Sequence, residues 1–183
     1  MSQLTLDNYS MKTLPDLVKS KMKVLFVGTN PGIKSARIGH YFAGTSNMFW
    51  KILHESRLTE ERLTTELDRK LINYDYGLTD VVKRPTRSTS ELRTGDGNGA
   101  RNRLDTLIEN SEPKIVAFVG KTGYRYYIDE KDKTVYYGIQ KFKIGKSFVY
   151  LLPSTSGQSY ADTKYDEKLY WYRKLRKYIM HFL

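Results

Sequence analysis

The sequence predicts an α/β fold in which a central, mostly parallel sheet lies between two layers of helices. Three strongly apolar segments, residues 23–28, 114–120 and 147–152, have the length and composition of buried strands. Segments with helical patterns separate them, and strands that alternate with helices form parallel sheets because each connection crosses one face of the sheet. We therefore expect a three-layer α/β/α sandwich. Residues 1–183 should form a single domain, with residues 1–22 as an N-terminal extension that packs on it.

The first half of the chain is predicted to supply two strands and two helices around a long loop. A short helix or turn is expected to end at residues 16–20, and the first strand follows at 23–28. Residues 29–45 read as a Gly-containing loop, after which Ser46 is suited to cap a helix that runs through Leu53. A charged helical stretch at 59–72 and a strand-like segment at 77–82 complete this half.

The second half is predicted to begin with a polar surface loop at 84–99, followed by a helix at 102–108. After the strand at 114–120 we expect a helix at 123–128 and paired strands within 134–144. The strand at 147–152 is followed by a polar loop. The apolar spacing of Leu169, Tyr172, Leu175 and Ile179 predicts a final helix over 165–180.

The composition favours a polyanionic partner and excludes several kinds of site. Lys and Arg number 31 against 20 Asp and Glu, a formal net charge of +11, and the 15 Tyr could stack on bases. The absence of Cys excludes disulfides, zinc ribbons and Cys-ligated iron–sulfur clusters. The three His have no metal-ligand spacing, so we expect no metal and no cofactor. No apolar run is long enough for a membrane span and the first residues lack a signal-peptide pattern, so a soluble intracellular protein without a membrane partner is expected.

The turn Gly28-Thr29-Asn30-Pro31-Gly32 marks the candidate functional site. It directly follows the first strand, lacks the G-x-G-x-x-G fingerprint of dinucleotide binding and has no P-loop Lys. The stretch at Asp80 and the loop after Leu152 also follow strand-like segments, and the carboxyl ends of parallel strands share one sheet edge. These loops offer an amide, a carboxylate and several hydroxyls, but no nucleophile triad. Such a site would hold a water molecule and stabilise developing charge.

The order of these motifs resembles the mismatch-specific uracil/thymine-DNA glycosylase family. Residues 28–32 (GTNPG) are similar to the family's G-I-N-P-G, residues 39–43 (GHYFA) to its G-x-x-[FY], and residues 47–51 (NMFWK) to its N-x-F-W-K. Residues 77–84 (GLTDVVKR), 119–121 (VGK) and 152–157 (LPSTSG) are similar to three further family segments in the same order. The resemblance covers residues 23–180.

The resemblance implies a monofunctional DNA glycosylase of the uracil-DNA-glycosylase-like fold. Such an enzyme flips a uracil or thymine mispaired with guanine out of the duplex and hydrolyses its N-glycosidic bond, leaving an abasic site for base excision repair. It implies that Asn30 positions the attacking water and that the flipped base stacks on Phe42. The residues implied to bind the base are Gly28, Thr29, Ser35, Tyr41, Phe42 and Asp80. Those implied to contact DNA are Lys121, Ser154, Thr155, Ser156, Gly157 and Gln158, with Arg84 a further candidate for a phosphate or scaffold role.

Four positions depart from the family pattern. Thr29 stands where the family usually has Ile, Gln158 stands where it inserts Leu or Arg into the duplex, and Tyr160 stands where one branch has Arg. Asp80 replaces the Asn or Lys of known branches. An ionised Asp80 would accept a hydrogen bond from N3–H of uracil or thymine and repel the N3 lone pair of cytosine. It could alternatively cap a turn at the strand end.

Three other functions stay open at this point. One is excision of the deaminated purines hypoxanthine or xanthine, and another is non-catalytic binding of nucleic acid by the same fold. The third is a Rossmann-type nucleotide-binding module, which the missing glycine fingerprint disfavours. In the glycosylase interpretation the partner is double-stranded DNA with a mismatched or deaminated base. The protein is expected to be a monomer in the cytoplasm or nucleoid of a prokaryote, or in the nucleus of a eukaryote.

Overall fold

A computed structural model describes residues 13–128, 135–157 and 163–182 of the chain. Within these residues, five strands form a sheet: β1 (Val24–Gly28), β2 (Tyr76–Asp80), β3 (Ile115–Val119), β4 (Gly138–Ile144) and β5 (Ser147–Leu152). Their order across the sheet is β2-β1-β3-β5-β4. Strands β2, β1, β3 and β5 are parallel, and β4 is an antiparallel edge strand paired with β5.

Helices cover both faces of this sheet, which confirms the predicted sandwich. The helices are α1 (Ile33–Ile38), α2 (Phe49–Glu55), α3 (Ala100–Ser111), α4 (Lys121–Ile128) and α5 (Tyr165–Phe182), with 3₁₀ segments at Thr65–Tyr74, Thr89–Glu91 and Thr94–Gly97. Alternate residues of β1 point into two separate apolar clusters. Val24 and Phe26 pack with α2 and α5, while Leu25 and Val27 pack with α3 and α4. Burial on both faces explains why β1 reads as a continuous apolar run.

The segment before β1 packs against the domain over its described part. Leu14 and Met22 are buried, and Leu17 forms an antiparallel bridge with Leu78 of β2. Of the short helix or turn expected at 16–20, the helix is wrong, because Leu17 hydrogen-bonds to the edge of β2 in an extended stretch, and a turn follows at Ser20 and Lys21. Residues 1–12 lie outside the described residues.

Several other local predictions need correction. The predicted loop at 29–45 contains α1, which has only six residues and no acidic residue in its first turn. The helix α2 begins at Phe49, whose backbone N–H is capped by the Asn47 side chain instead of Ser46. The helical stretch expected at 59–72 is a 3₁₀ segment at Thr65–Tyr74, and the strands expected to pair within 134–144 are a single strand that pairs with β5.

The parallel strands bring three polar loops to one edge of the sheet. The carboxyl ends of β2, β1, β3 and β5 lie side by side there, with Gly28 in register with Asp80. From β1 the chain goes to β2 on one side, and β3 lies on the other, so the topological switch point is at the end of β1. This is where α/β folds place ligands. None of the described helices is long and apolar enough to cross a membrane.

Candidate active site

A cleft of about 240 Å³ opens at the carboxyl ends of β1, β2 and β3. Most of its walls come from residues 28–35, 41–47, 80–89 and 154–157, and Leu14 and Val119 complete the lining. All of the predicted base-binding residues and Asn30 line it, as do Ser154, Thr155, Ser156 and Gly157. The fold therefore gathers residues that range from Leu14 to Gly157 in the sequence around one space.

Asn30 is held in one orientation by its neighbours. Its Nδ2 donates to the carbonyl oxygen of Arg84 at 3.0 Å and to Thr86 Oγ1 at 2.8 Å, with a third acceptor in Pro31 O at 3.2 Å. Carbonyl oxygens only accept, so the nitrogen of the amide must be the atom that faces them. No described residue donates to Oδ1, which leaves that oxygen as a free acceptor.

Thr86 connects the Asn30 turn to the loop after β2. It is 3% exposed, its N–H donates to Pro31 O at 3.1 Å, and its carbonyl accepts from the N–H of Ile33 at 3.2 Å. The same loop is braced by Arg84, whose guanidinium donates to both carboxylate oxygens of Asp96. Hydrogen bonding to Arg84 lowers the pKa of Asp96 to about 2, so this pair stays ionised at neutral pH.

Phe42 forms an aromatic wall of the cleft with a strained backbone. Its φ is +53°, a left-handed value that non-glycine residues rarely adopt and that tends to mark functional sites. The ring stacks on Phe49 with centroids 3.8 Å apart. The N–H groups of Tyr41 and Ala43 donate to Asp68 Oδ2 and Ser35 Oγ, whereas that of Phe42 has no acceptor among the described residues.

The side chains of Tyr41 and Ser35 hold this loop in place. Tyr41 is 2% exposed and donates its hydroxyl to Pro15 O, and Ser35 is 4% exposed with its Oγ accepting from Ala43. Asp68, from the Thr65–Tyr74 segment, also accepts from His40 Nδ1 at 3.0 Å. Asp68 thus fixes the conformation that carries Phe42.

Asp80 closes the floor of the cleft at the end of β2. It is 3% exposed, and its Oδ2 is buried with no hydrogen-bond partner within residues 13–128, 135–157 and 163–182. Burial raises the pKa of Asp80 to about 7, even though Lys83 and Arg103 pull it down. Gly28 lies opposite Asp80 on β1. A Cβ at position 28 would overlap Asp80 Oδ1 and lie 3.8 Å from Phe42 Cζ. Only glycine leaves this space open.

The loop after β5 forms the far wall. The Thr155 carbonyl accepts from the N–H of Met48 at 2.9 Å, and Gly157 packs directly against Ser46. Thr155 Oγ1 is buried and has no hydrogen-bond partner in the part of the chain that the structure describes. Gln158 and Tyr160 lie outside the described residues.

Two predicted DNA-contact residues lie away from the cleft lining. Lys121 begins α4, and its ammonium lies 4.8 Å from the centre of the Tyr137 ring. Arg84 points to Asp96 and contributes to the cleft only through its backbone. Thr29 does line the cleft, and its Oγ1 lies 3.0 Å from the position of a Cβ on Gly123, so α4 packs tightly on the turn.

Sequence reasoning missed the residues that support the site. Thr86 and Asp68 are distant in sequence from the residues that they hold, and so is Asp16, which forms ion pairs with Lys83 and Arg103. Nothing in their local pattern distinguishes these polar residues from surface residues. Arg87 also lines the cleft and was not singled out. Within the described residues, no group of His, Asp and Glu could hold a metal ion.

Comparison with known proteins gives the family. A sequence model of the uracil DNA glycosylase superfamily matches residues 15–176. The fold is similar to the solution NMR structure of a candidate uracil DNA glycosylase from Methanosarcina acetivorans, with a TM-score of 0.61 and 20% sequence identity over 91% of this chain and 98% of that chain. The family match includes all the described residues of the cleft except Leu14. The chain belongs to the uracil DNA glycosylase superfamily.

Proposed function

We propose that this protein is a monofunctional DNA glycosylase of the mismatch-specific uracil/thymine branch. It flips uracil, and thymine in some contexts, out of a mispair with guanine and hydrolyses the N-glycosidic bond as the first step of base excision repair. It acts as a monomer on double-stranded DNA.

The orientation of Asn30 is the observation that carries this proposal. Because Nδ2 is engaged by Arg84 O and Thr86 Oγ1, Oδ1 faces the cleft as an acceptor for one hydrogen of a water molecule. That water would add to C1′ of the sugar while the C1′–N bond electrons leave with the base. An amide is too weak a base to remove a proton from this water before the C1′–N bond breaks, so the role of Asn30 is to orient the water. Most of the reduction of the barrier comes from stabilising the departing base.

The opposite part of the cleft suits a flipped pyrimidine. Phe42 offers a ring for stacking, and its N–H has no described acceptor, so it can donate to a carbonyl oxygen of the base. Gly28 leaves room for the base beside Asp80 and Phe42. Thr29, Tyr41 and Ser35 complete this proposed base pocket.

The rim of the cleft suits DNA. The hydroxyls and backbone of Ser154, Thr155, Ser156 and Gly157 are groups that commonly contact phosphates. Gln158 is proposed to fill the gap left by the flipped base, and Lys121 to contact the backbone. The net charge of +11 would support the non-specific part of the affinity.

The test is excision from duplexes carrying guanine·uracil, adenine·uracil, guanine·thymine and guanine·hypoxanthine pairs, read as alkali-dependent strand cleavage. We expect cleavage at guanine·uracil, and the other duplexes define the range. Asn30→Ala should lower the single-turnover rate by about a hundredfold or more while leaving DNA binding nearly unchanged.

Asn110→Ala serves as the matched control, because Asn110 is exposed near the end of α3 and does not line the cleft. It should react like the wild type. If Asn30→Ala excises uracil within about threefold of the wild-type rate, Asn30 does not position the water. Cleavage of the hypoxanthine duplex alone would favour the deaminated-purine function instead.

A further inference from the structure

Asp80 is a buried carboxyl group that receives no hydrogen bond from any residue that the structure describes. It lines the cleft at 3% exposure, and among the described residues none donates to its carboxyl oxygens. An ionised carboxylate in such a place loses its hydration without compensation. The neutral acid is therefore favoured until a ligand arrives.

The charged groups around Asp80 are mostly engaged with one another. Lys83, on the loop after β2, and Arg103, on α3, both form ion pairs with Asp16 from the segment before β1. Arg103 also donates to the backbone carbonyl of Asp80, not to its carboxyl group. Tyr41, from the loop after α1, donates its hydroxyl to Pro15 O.

The balance of these groups keeps a substantial fraction of Asp80 protonated near pH 7. Burial is the largest effect and raises the pKa of Asp80 to about 7; Asp16 adds to the rise, and Lys83 and Arg103 oppose it. Burial also raises the pKa of Tyr41 far above its usual value, so its hydroxyl keeps its proton. The ionised Asp80 expected from the sequence is thus not the dominant form below pH 7.

We propose that Asp80 acts as a neutral carboxylic acid that accepts a hydrogen bond from the ring N–H of the flipped base and donates one to the adjacent exocyclic oxygen. A protonated carboxyl group has one donor and one acceptor side by side, as an Asn amide does. The substrate class is then a base with a lactam edge, an N–H beside a C=O. Uracil, thymine, hypoxanthine and xanthine have this edge. This inference rests on the proposed function.

The neutral form removes a conflict between binding and catalysis. When the N-glycosidic bond breaks, the base leaves with negative charge that spreads onto its exocyclic oxygens. A carboxylate beside the base would repel this charge, whereas an O–H donor stabilises it more as it grows. Asp80 touches the base in this arrangement and is a catalytic residue as well as a specificity residue.

The experiment is the pH dependence of single-turnover uracil excision between pH 5.5 and 8.5. Wild-type rates should be level at low pH and fall through pH 7, about tenfold per unit, to about 30-fold below the plateau at pH 8.5. Asp80→Asn should stay within about threefold of the wild type at pH 5.5 and lose this fall. Asp80→Leu should lose excision throughout, and Asp166→Asn, an exposed change on α5, should keep the wild-type profile.

A second readout does not depend on activity. The ¹³Cγ resonance of Asp80 in the free protein, identified by its absence in Asp80→Asn, should titrate near pH 7. A resonance that titrates near pH 4, a wild-type rate that does not fall with pH, or an Asp80→Asn rate more than a hundredfold low at pH 5.5 would overturn the proposal. Failure of the wild type to excise any base would instead overturn the proposed function, and the titration would still test the charge state.

Discussion

Asn30 shows how hydrogen bonds to two segments of the chain fix the orientation of an amide side chain. Its Nδ2 donates to Arg84 O and Thr86 Oγ1 and lies 3.2 Å from Pro31 O. Rotation of the amide by 180° would place Oδ1 against the carbonyl oxygens of Arg84 and Pro31, which cannot donate. Oδ1 of this cleft-lining residue therefore stays without a donor among the described residues. A preorganised acceptor avoids the cost of reorganisation during the reaction.

Thr86 should therefore act as a positioning residue. Thr86→Val keeps the shape but removes the acceptor 2.8 Å from Asn30 Nδ2, and we expect single-turnover uracil excision to fall about tenfold at saturating enzyme. The apparent affinity for DNA should change little, because the hydroxyl is buried beneath the turn.

Thr86→Ser provides the matched control, since it retains the hydroxyl, and it should excise within about threefold of the wild type. A serine variant as slow as the valine variant would show that packing of the methyl group matters and that the hydrogen bond to Asn30 does not.

The loop between β2 and α3 is an element whose function could not be predicted from its composition. The polar stretch at 84–99 reads as an ordinary surface loop, but Arg84 and Asp96 brace it and its backbone orients Asn30. We expect Asp96→Asn to accelerate amide hydrogen exchange at residues 84–97 and to lower excision several-fold. The measurements are hydrogen exchange by mass spectrometry and single-turnover kinetics.

Asp105→Asn on α3 is a suitable comparison, because Asp105 accepts from Tyr127 and does not line the cleft. It should leave the exchange of residues 84–97 unchanged. If Asp96→Asn also leaves that exchange unchanged, the ion pair does not brace the loop.

An element can be predicted from the sequence when its own residues determine it, and not when contacts with distant residues do. Strands β1, β3 and β5 are buried on both faces, so their apolar runs predict them from the sequence. Helix α1 has six residues and is set by its contacts, and β4 alternates weakly because it is an edge strand. The loops around Asn30, Phe42 and Asp80 could be identified from the order of motifs, but their supports could not. Thr86, Asp68 and Asp16 act through partners at least 27 positions away.

The charge of the whole molecule leads to a prediction about DNA binding. With a net charge of +11, several phosphate contacts should form, and log K should fall with log[salt] at a slope of several units. Asn30→Ala allows the measurement by fluorescence anisotropy without turnover. The salt concentration should be varied from about 50 to about 200 mM, which spans physiological ionic strength. If the affinity for DNA does not change over this range, the positive side chains do not contact phosphates.

The stability of the whole domain should also depend on the proton held by Asp80. The pKa of Asp80 is raised from 3.8 to about 7 by burial, so on a rise in pH the unfolded chain releases this proton before the folded protein does. The contribution of Asp80 to the free energy of unfolding is therefore full below pH 4, decreases between pH 4 and 7, and is constant above. Asp80→Asn has no proton to release, so its stability relative to the wild type should increase across this window by a few kcal/mol, at about 1.4 kcal/mol per unit of pKa shift.

Urea unfolding at pH 4.5 and pH 8 measures this difference. We expect the midpoint of Asp80→Asn to exceed that of the wild type by more at pH 8 than at pH 4.5, while the exposed change Asp166→Asn shows no such trend. The direction matters, because a carboxylate stabilised by an ion pair would produce the reverse: its pKa would be lowered by folding, and its replacement would cost most at high pH. If Asp80→Asn is less stable than the wild type at pH 8 by more than at pH 4.5, Asp80 is held as an anion by Lys83 or Arg103. The cleft would then present a negative charge to the base.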